Sequence, residues 1–161
     1  MTKVLVVYDS LTGNTEQMAK AVGEGVKNAG VEVEIKKATR VELADLEAAD
    51  AIILGSPTHF GAMSENMKRL ITKSHAIRKK LVDKLGAAFT SSTSVAGGNE
   101  TTLLSMLQAM LIHGMLVLSD PIEPGYGHYG VASIGKPQHE DLEACRRLGE
   151  RVAKLAAKRR E

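Results

Sequence analysis

The 161-residue sequence has no tryptophan, two phenylalanines and three tyrosines, so it lacks the aromatic surface on which proteins stack nucleic-acid bases. It has one cysteine, Cys145, which excludes an internal disulfide, an iron–sulfur ligand set and a structural zinc site. Redox chemistry in such a chain has to come from a bound organic cofactor. Long hydrophobic runs are missing as well. The longest, Val4-Leu5-Val6-Val7 and Ala51-Ile52-Ile53-Leu54, fall far short of the roughly 18–20 residues needed to span a bilayer. Met1-Thr2-Lys3 leads straight into the first of them, without the apolar segment and cleavage site of a secretory signal, and the expected location is the cytoplasm. Charge of either sign is scarce in excess: 21 Lys and Arg stand against 19 Asp and Glu, a net +2, too little to imply a nucleic-acid partner. The excess is read as lying largely in the tail, where Lys154, Lys158, Arg159 and Arg160 complement the C-terminal dipole of a helix.

What is present is the composition of one globular domain over residues 1–161, 43% hydrophobic and 25% charged. Residues 4–8 form an apolar run followed by a polar loop, and Met18, Val22 and Val26 then recur at helical spacing. Val31-Glu32-Val33-Glu34-Ile35 alternates apolar with charged, as an edge strand with one wet face does. A short helical segment over 41–49 precedes the wholly apolar 51–55, the pattern of a central parallel strand covered on both faces. Helices are predicted over 64–74 and around Leu103, Leu107 and Met110, with strands at 86–89 and 115–118. A Gly/Pro/Tyr-rich loop over 121–135 leads to a last helix whose Leu142, Cys145, Leu148, Val152 and Leu155 share one face. Strands alternating with helices require right-handed crossovers. The expected fold is therefore α/β, a three-layer, doubly wound, five-stranded parallel sheet in the order 2-1-3-4-5. Its ligand crevice lies beyond the carboxyl ends of the strands, at the switch between strands 1 and 3.

Three loops open on that edge. The first, Ser10-Leu11-Thr12-Gly13-Asn14-Thr15, offers hydroxyls, an amide and a glycine where a strand feeds a helix N-terminus, whose unpaired N–H groups and dipole attract an anion. It contains no Lys or Arg and matches neither the P-loop nor the dinucleotide fingerprint. A monophosphate held by neutral donors suits it better than a triphosphate or a pyrophosphate; the plainer alternative is that Asn14 or Thr15 caps the helix.

Ser10-Leu11-Thr12-Gly13-Asn14-Thr15 after the first strand, Gly55-Ser56-Pro57-Thr58-His59-Phe60-Gly61 after the third, and Thr90-Ser91-Ser92-Thr93 with Gly97-Gly98 after the fourth resemble the three FMN-binding loops of the flavodoxin-like superfamily. Gly97-Gly98-Asn99-Glu100, Leu111-Ile112-His113-Gly114-Met115 and Tyr129-Gly130 look like the branch of multimeric flavodoxins and WrbA-type NAD(P)H:quinone oxidoreductases. The resemblance implies FMN as cofactor, with Ser10, Thr12, Gly13, Asn14 and Thr15 on the phosphate. It places Pro57, Thr58, His59, Phe60 and Gly61 along the isoalloxazine, and Ser92, Thr93, Ser94, Val95, Gly97 and Gly98 flanking the ring. It implies His113 as a catalytic histidine that orients a quinone or supplies a proton. NAD(P)H and a quinone, or redox-protein partners, are the implied partners, and a dimer or tetramer the implied assembly.

Plainer readings stand beside several of these. Phe60 could be ordinary core, His59 a solvated side chain, and His113 a C-terminal helix histidine beside Gly114. His128 with Tyr126 and Tyr129 could form a lid or only a turn-rich loop, and Cys145 is read as a small core residue. Two functions fit one FMN site: an enzyme taking a hydride from NADH or NADPH and reducing a quinone, or a flavodoxin proper shuttling single electrons between proteins. The near-neutral charge and His113 favour the enzyme. The absence of the WrbA-type insertion between strands 2 and 3, the absence of tryptophan and the carrier-type first loop favour the flavodoxin.

Overall fold

The structure, a computed structural model, describes residues 1–120 and 127–159. The elements are β1 (Lys3–Tyr8), α1 (Asn14–Asn28), β2 (Glu32–Lys37), α2 (Leu43–Ala48), β3 (Ala51–Pro57), α3 (Glu65–Ser74), β4 (Leu85–Ser92), α4 (Asn99–Ile112), β5 (Leu116–Val117), β6 (Val131–Ile134) and α5 (His139–Lys158). Short 3-10 turns cover Ala38–Arg40 and His75–Lys80. All the strands pair in parallel, in the order β2-β1-β3-β4-β5, as the alternation of apolar runs and helical stripes predicts.

Successive residues of each central strand point to opposite faces, and the sheet is covered on both. Val4, Val6, Ile53, Ala87 and Phe89 pack with Met18, Val22 and Val26 of α1 and Cys145, Leu148 and Val152 of α5. Leu5, Val7, Ile52, Leu54 and Ala88 pack with Leu46 of α2, Met67 and Leu70 of α3, and Leu103, Met106 and Met110 of α4. Cys145 is fully buried there, and desolvation pushes its thiol pKa up, so it is an inert core group. Where α1 crosses α5, a Cβ on Gly25 or Gly149 would collide with the backbone of the other helix; the two glycines set how closely that helical layer lies.

The expected loop over 121–135 is only partly a loop. Residues 131–134 form β6, which pairs with Phe89–Ser92, while β5 pairs only with Leu85 and Gly86. The outer edge of β4 is thus shared by two short strands. Val131 and Ser133 are buried on one face and Ala132 packs on the other, a four-residue alternation that the glycines and tyrosines around it obscure. Tyr126 lies outside the described residues.

At the other edge, β2 carries its charges in a network. Lys36 Nζ is 2.7 Å from both Glu34 Oε1 and Asp45 Oδ1, and Lys3 Nζ is 2.7 Å from Glu34 Oε2. Hydrogen bonds from Lys3 and then Lys36 lower the Glu34 pKa; those from Lys36 and then the Glu42 N–H lower that of Asp45. A carboxylate with a lowered folded-state pKa stabilises the fold above the unfolded value, near 4, and loses that contribution as pH falls through the folded value. Lys36→Met is expected to lower stability at pH 7 by a small amount, since solvent screens these pairs. In urea melts taken at falling pH the difference from the parent protein should close below about pH 4.

Candidate functional site

The loops after β1, β3 and β4 converge at the carboxyl edge of the sheet. They enclose a cleft of ≈ 400 Å³ lined by Leu11, Thr12, Asn14, Thr15, Pro57, Thr58, His59, Ser91, Ser92, Thr93 and Gly135, within the range of small-molecule sites. Among the described residues no Lys, Arg, Asp or Glu lines it.

The first loop ends at Gly13, whose φ of 95° is left-handed and which begins α1 with no side-chain cap. Neither Asn14 nor Thr15 caps the helix, so the capping alternative fails. The N–H groups of Asn14, Thr15 and Glu16 precede the first intrahelical donor, Gln17 N–H bonded to Gly13 C=O, and have no intrahelical acceptor. Gly13 N–H donates to Ser10 Oγ at 3.1 Å, which leaves the Ser10 hydroxyl proton to donate elsewhere. Thr15 is turned away from capping by Ser91: their hydroxyls lie 2.8 Å apart and both residues are buried.

The second loop is held by hydroxyls at its base. Thr90 Oγ1 donates to Ser56 C=O at 2.7 Å, which commits its single proton, so Thr58 Oγ1, 3.0 Å away, donates to it. Thr58 N–H donates to Ser91 C=O at 2.8 Å. Ser64, the N-cap of α3, donates its hydroxyl to buried Asp9 at 2.7 Å and accepts from Met67 N–H. Its own N–H donates to Ser56 Oγ.

Above this base the chain reverses between His59 and Ala62, which exchange backbone hydrogen bonds of 2.9 and 3.0 Å. The two central residues have φ of 50° at Phe60 and 73° at Gly61, the signs of a type I′ turn. Glycine accepts this conformation freely and phenylalanine does not. Phe60 is held there with its ring wholly in solvent, 109% exposed, which removes the core reading. A Cβ on Gly98 would meet Gly61 Cα at 2.8 Å, so the turn rests against the start of α4. Gly98, φ 90°, begins α4 without a side-chain cap, as Gly13 begins α1.

Of the residues expected at the site, Thr12, Asn14, Thr15, Pro57, Thr58, His59, Ser92 and Thr93 line the cleft itself. Ser10 and Gly13 belong to the first loop, Phe60 and Gly61 to the tip of the turn, and Ser94, Val95, Gly97 and Gly98 to the segment between β4 and α4. Leu11, Ser91 and Gly135 also line it and were not expected. Leu11 is a lone apolar residue in a polar loop, which is a readable signal. Gly135 has none, because it reaches the cleft through β6 and a hydrogen bond to Ser92 C=O.

His113 is elsewhere. It ends α4, whose 14 residues run back about 20 Å from the cleft edge. It is 8% exposed, beside a small apolar cavity lined by Leu70, Ile71, Met110 and Met115. Its Nδ1 donates to Ala109 C=O at 2.7 Å, and Nε2 is 2.8 Å from Ser74 Oγ at the end of α3. Within one chain the expected flavin-side histidine is instead a pin between two helix ends.

A flavodoxin-domain family model matches residues 5–111. The chain belongs to the flavodoxin family. An NAD(P)H dehydrogenase (quinone) of Archaeoglobus fulgidus is 38% identical over 189 positions, covering 98% of this chain and 99% of that one. A flavodoxin of Aquifex aeolicus is 39% identical over 163 positions, covering 98% and 88%. The crystal structure of a flavodoxin, WrbA-like protein from Agrobacterium tumefaciens superposes with a TM-score of 0.81 at 31% identity, covering 98% and 99%. FMN is the cofactor of this flavodoxin, and the residues present fit it: uncapped N–H groups and hydroxyls at a helix start for the phosphate, a neutral cleft for the ring.

Two substitutions separate strain from site. Phe60→Gly is expected to raise the stability of the flavin-free protein by about 1 kcal/mol, by relieving the left-handed phenylalanine, while weakening FMN binding in a fluorescence titration. His113→Ala is expected to cost about 2–3 kcal/mol through its lost hydrogen bonds and an enlarged cavity, while leaving the rate of flavin reduction by NADPH unchanged in stopped-flow.

Proposed function

We propose that this chain is one FMN-holding domain that passes electrons from NAD(P)H to a quinone. The observation that carries the reading is the cleft at the uncapped start of α1, in which no charged side chain lines the wall among the described residues. Such a site binds a phosphate monoester dianion through backbone N–H groups and hydroxyls alone. In this reading the Asn14, Thr15 and Glu16 N–H groups and the Ser10 and Thr12 hydroxyls hold the phosphate. Thr58, His59, Phe60 and Gly61 take one side of the ring, and Ser92, Thr93, Ser94, Val95, Gly97 and Gly98 take the other.

FMN held there would supply two-electron, hydride-accepting chemistry; the chain's contribution is position and polarity. The Thr58–Thr90 and Thr15–Ser91 hydroxyl pairs and the Thr90 bond to the Ser56 carbonyl fix the cleft walls before anything binds, so little reorganisation accompanies a change of charge inside it. His59 offers an exposed imidazole at the wall, able to donate or accept a hydrogen bond at the ring edge. The charge-free lining is also open to an uncharged quinone.

The relatives' names support the enzyme, since the Archaeoglobus fulgidus protein and others at 35–36% identity are NAD(P)H dehydrogenases (quinone). Electron carriage between proteins is the second reading, and length favours it. The quinone dehydrogenases align over 189 to 200 positions against 161 residues here, whereas the Aquifex aeolicus flavodoxin aligns over 163. No helix among the described residues is long and apolar enough to cross a membrane, and cytoplasmic residence is part of the proposal.

The test is anaerobic. FMN-loaded protein is mixed with NADH or NADPH, flavin absorbance is followed, and benzoquinone is then added. Bleaching within seconds and recovery on quinone addition is the expected outcome; a flavin that dithionite reduces but neither nicotinamide does would leave the carrier reading in its place.

A further inference from the structure

The tail, where residues 151–161 contain five Lys or Arg against one Glu, is joined by a second basic segment elsewhere in the sequence. Residues 139–161 contain seven Lys or Arg against five Asp or Glu, whereas residues 68–80 contain six Lys or Arg and no Asp or Glu. The remainder of the chain therefore carries a net −4 against the overall +2. All six cations are exposed, on α3 and the 3-10 turn that continues it. Three have a carboxylate nearby: Arg69 with Glu65 at 2.7 Å, Lys80 with Glu47 at 2.7 Å and Lys73 with Glu42 at 3.7 Å. Arg78 donates to the Ile112 carbonyl. Lys68 and Lys79 have no ion pair among the described residues.

Where this flank begins matters. α3 starts three residues after the strained turn, and Lys68 and Arg69 stand in its first two turns, about 5–6 Å along the axis from its start. At the lip of the cleft Phe60, Leu11 and Val95 are 109%, 84% and 77% exposed, three large apolar side chains in solvent on the three loops that build the cleft. A small apolar contact beside a one-signed field has the anatomy of a transient interface, in which charge speeds and orients encounter and a limited apolar patch makes contact.

The geometry points to a docking surface on the Phe60 turn and the outer flank of α3 for an acidic redox protein, whose carboxylates face Lys68, Arg69 and Lys73 while its own centre approaches the cleft. This rests on the FMN reading for its purpose, since the cleft is where electrons would pass. Charge complementarity selects the occupant. A nucleic acid fits less well: residues 65–84 contain no Phe, Tyr or Trp to stack a base, and the exposed Phe60 sits at the cleft mouth instead.

The experiment measures association directly, so that it does not depend on turnover. A fluorescently labelled plant-type [2Fe–2S] ferredoxin, an acidic carrier, is titrated with the FMN-loaded protein at 20 to 300 mM NaCl. Horse-heart cytochrome c, a basic carrier, and a 20-base-pair DNA duplex are titrated alongside. The expected result is ferredoxin binding that weakens at least tenfold across the salt range, with weaker binding of cytochrome c. Lys68→Glu with Lys73→Glu should weaken ferredoxin binding at least tenfold at 20 mM NaCl and flatten its salt dependence. FMN affinity and NADPH–benzoquinone turnover, measured on the same variant, should not change. Absence of ferredoxin binding, binding indifferent to the double substitution, or a loss confined to the DNA duplex or to the KM for NADPH would each overturn the proposal. Salt-sensitive ferredoxin binding by a protein that takes up no FMN would instead sink the function proposed above and leave the surface standing.

Discussion

The first turn of α1 begins at Gly13 with nothing turned back to cap it, so three backbone N–H groups keep an unmet demand for acceptors. That demand is the constraint around which the carboxyl edge of the sheet is arranged. A capping side chain would have met it cheaply, and Thr15 is the right residue type to help, yet its hydroxyl is held by Ser91 across the cleft. The parallel topology then brings two further loops to the same edge. A second helix, α4, also starts at a left-handed glycine, Gly98, although there Asn99 Oδ1 accepts from the Glu100 N–H. Anion affinity is thus built into the backbone, and no cation is needed inside the cleft.

The hydroxyls of Ser56, Thr58, Thr90, Ser91 and Thr15 do for this edge what apolar contacts do for the core. Ser56, Thr90 and Ser91 sit at or near the end of β3 and β4, buried yet bonded, so the strands continue as rigid elements to the cleft wall. The Asp9–Ser64 contact ties the loop after β1 to the start of α3 in the same manner. Each loop is therefore anchored to a strand or helix that the hydrophobic layers already fix.

Much of this was legible in the residues. Val4 to Val7 and Ala51 to Leu54 marked two central strands because both of their faces are covered, and the alternation at Val33 and Ile35 marked the wet edge. The site loops were legible because polar residues and glycines interrupt the pattern after strands 1, 3 and 4. What escaped was non-local. The four residues of β6 are a strand only because Phe89–Ser92 lies beside them. His113 has the same neighbours in sequence wherever α4 ends, and only the helix length shows that it finishes at the far end of the sheet. The left-handed Phe60 is set by the hydrogen bonds between His59 and Ala62, which phenylalanine's own preferences oppose.

The divided outer edge of the sheet has a consequence for how the protein behaves in crowded solution. An uninterrupted parallel strand at that border would offer a second molecule a continuous ladder of open backbone groups. Among the described residues the border is two residues of β5 and four of β6, while the opposite border is β2 with Glu32, Glu34, Lys36 and Lys37 along it. Neither presents a long, flat, uncharged template. Sheet-to-sheet stacking into fibres is thereby discouraged by the architecture itself, and concentrated preparations should stay clear of amyloid-type polymer.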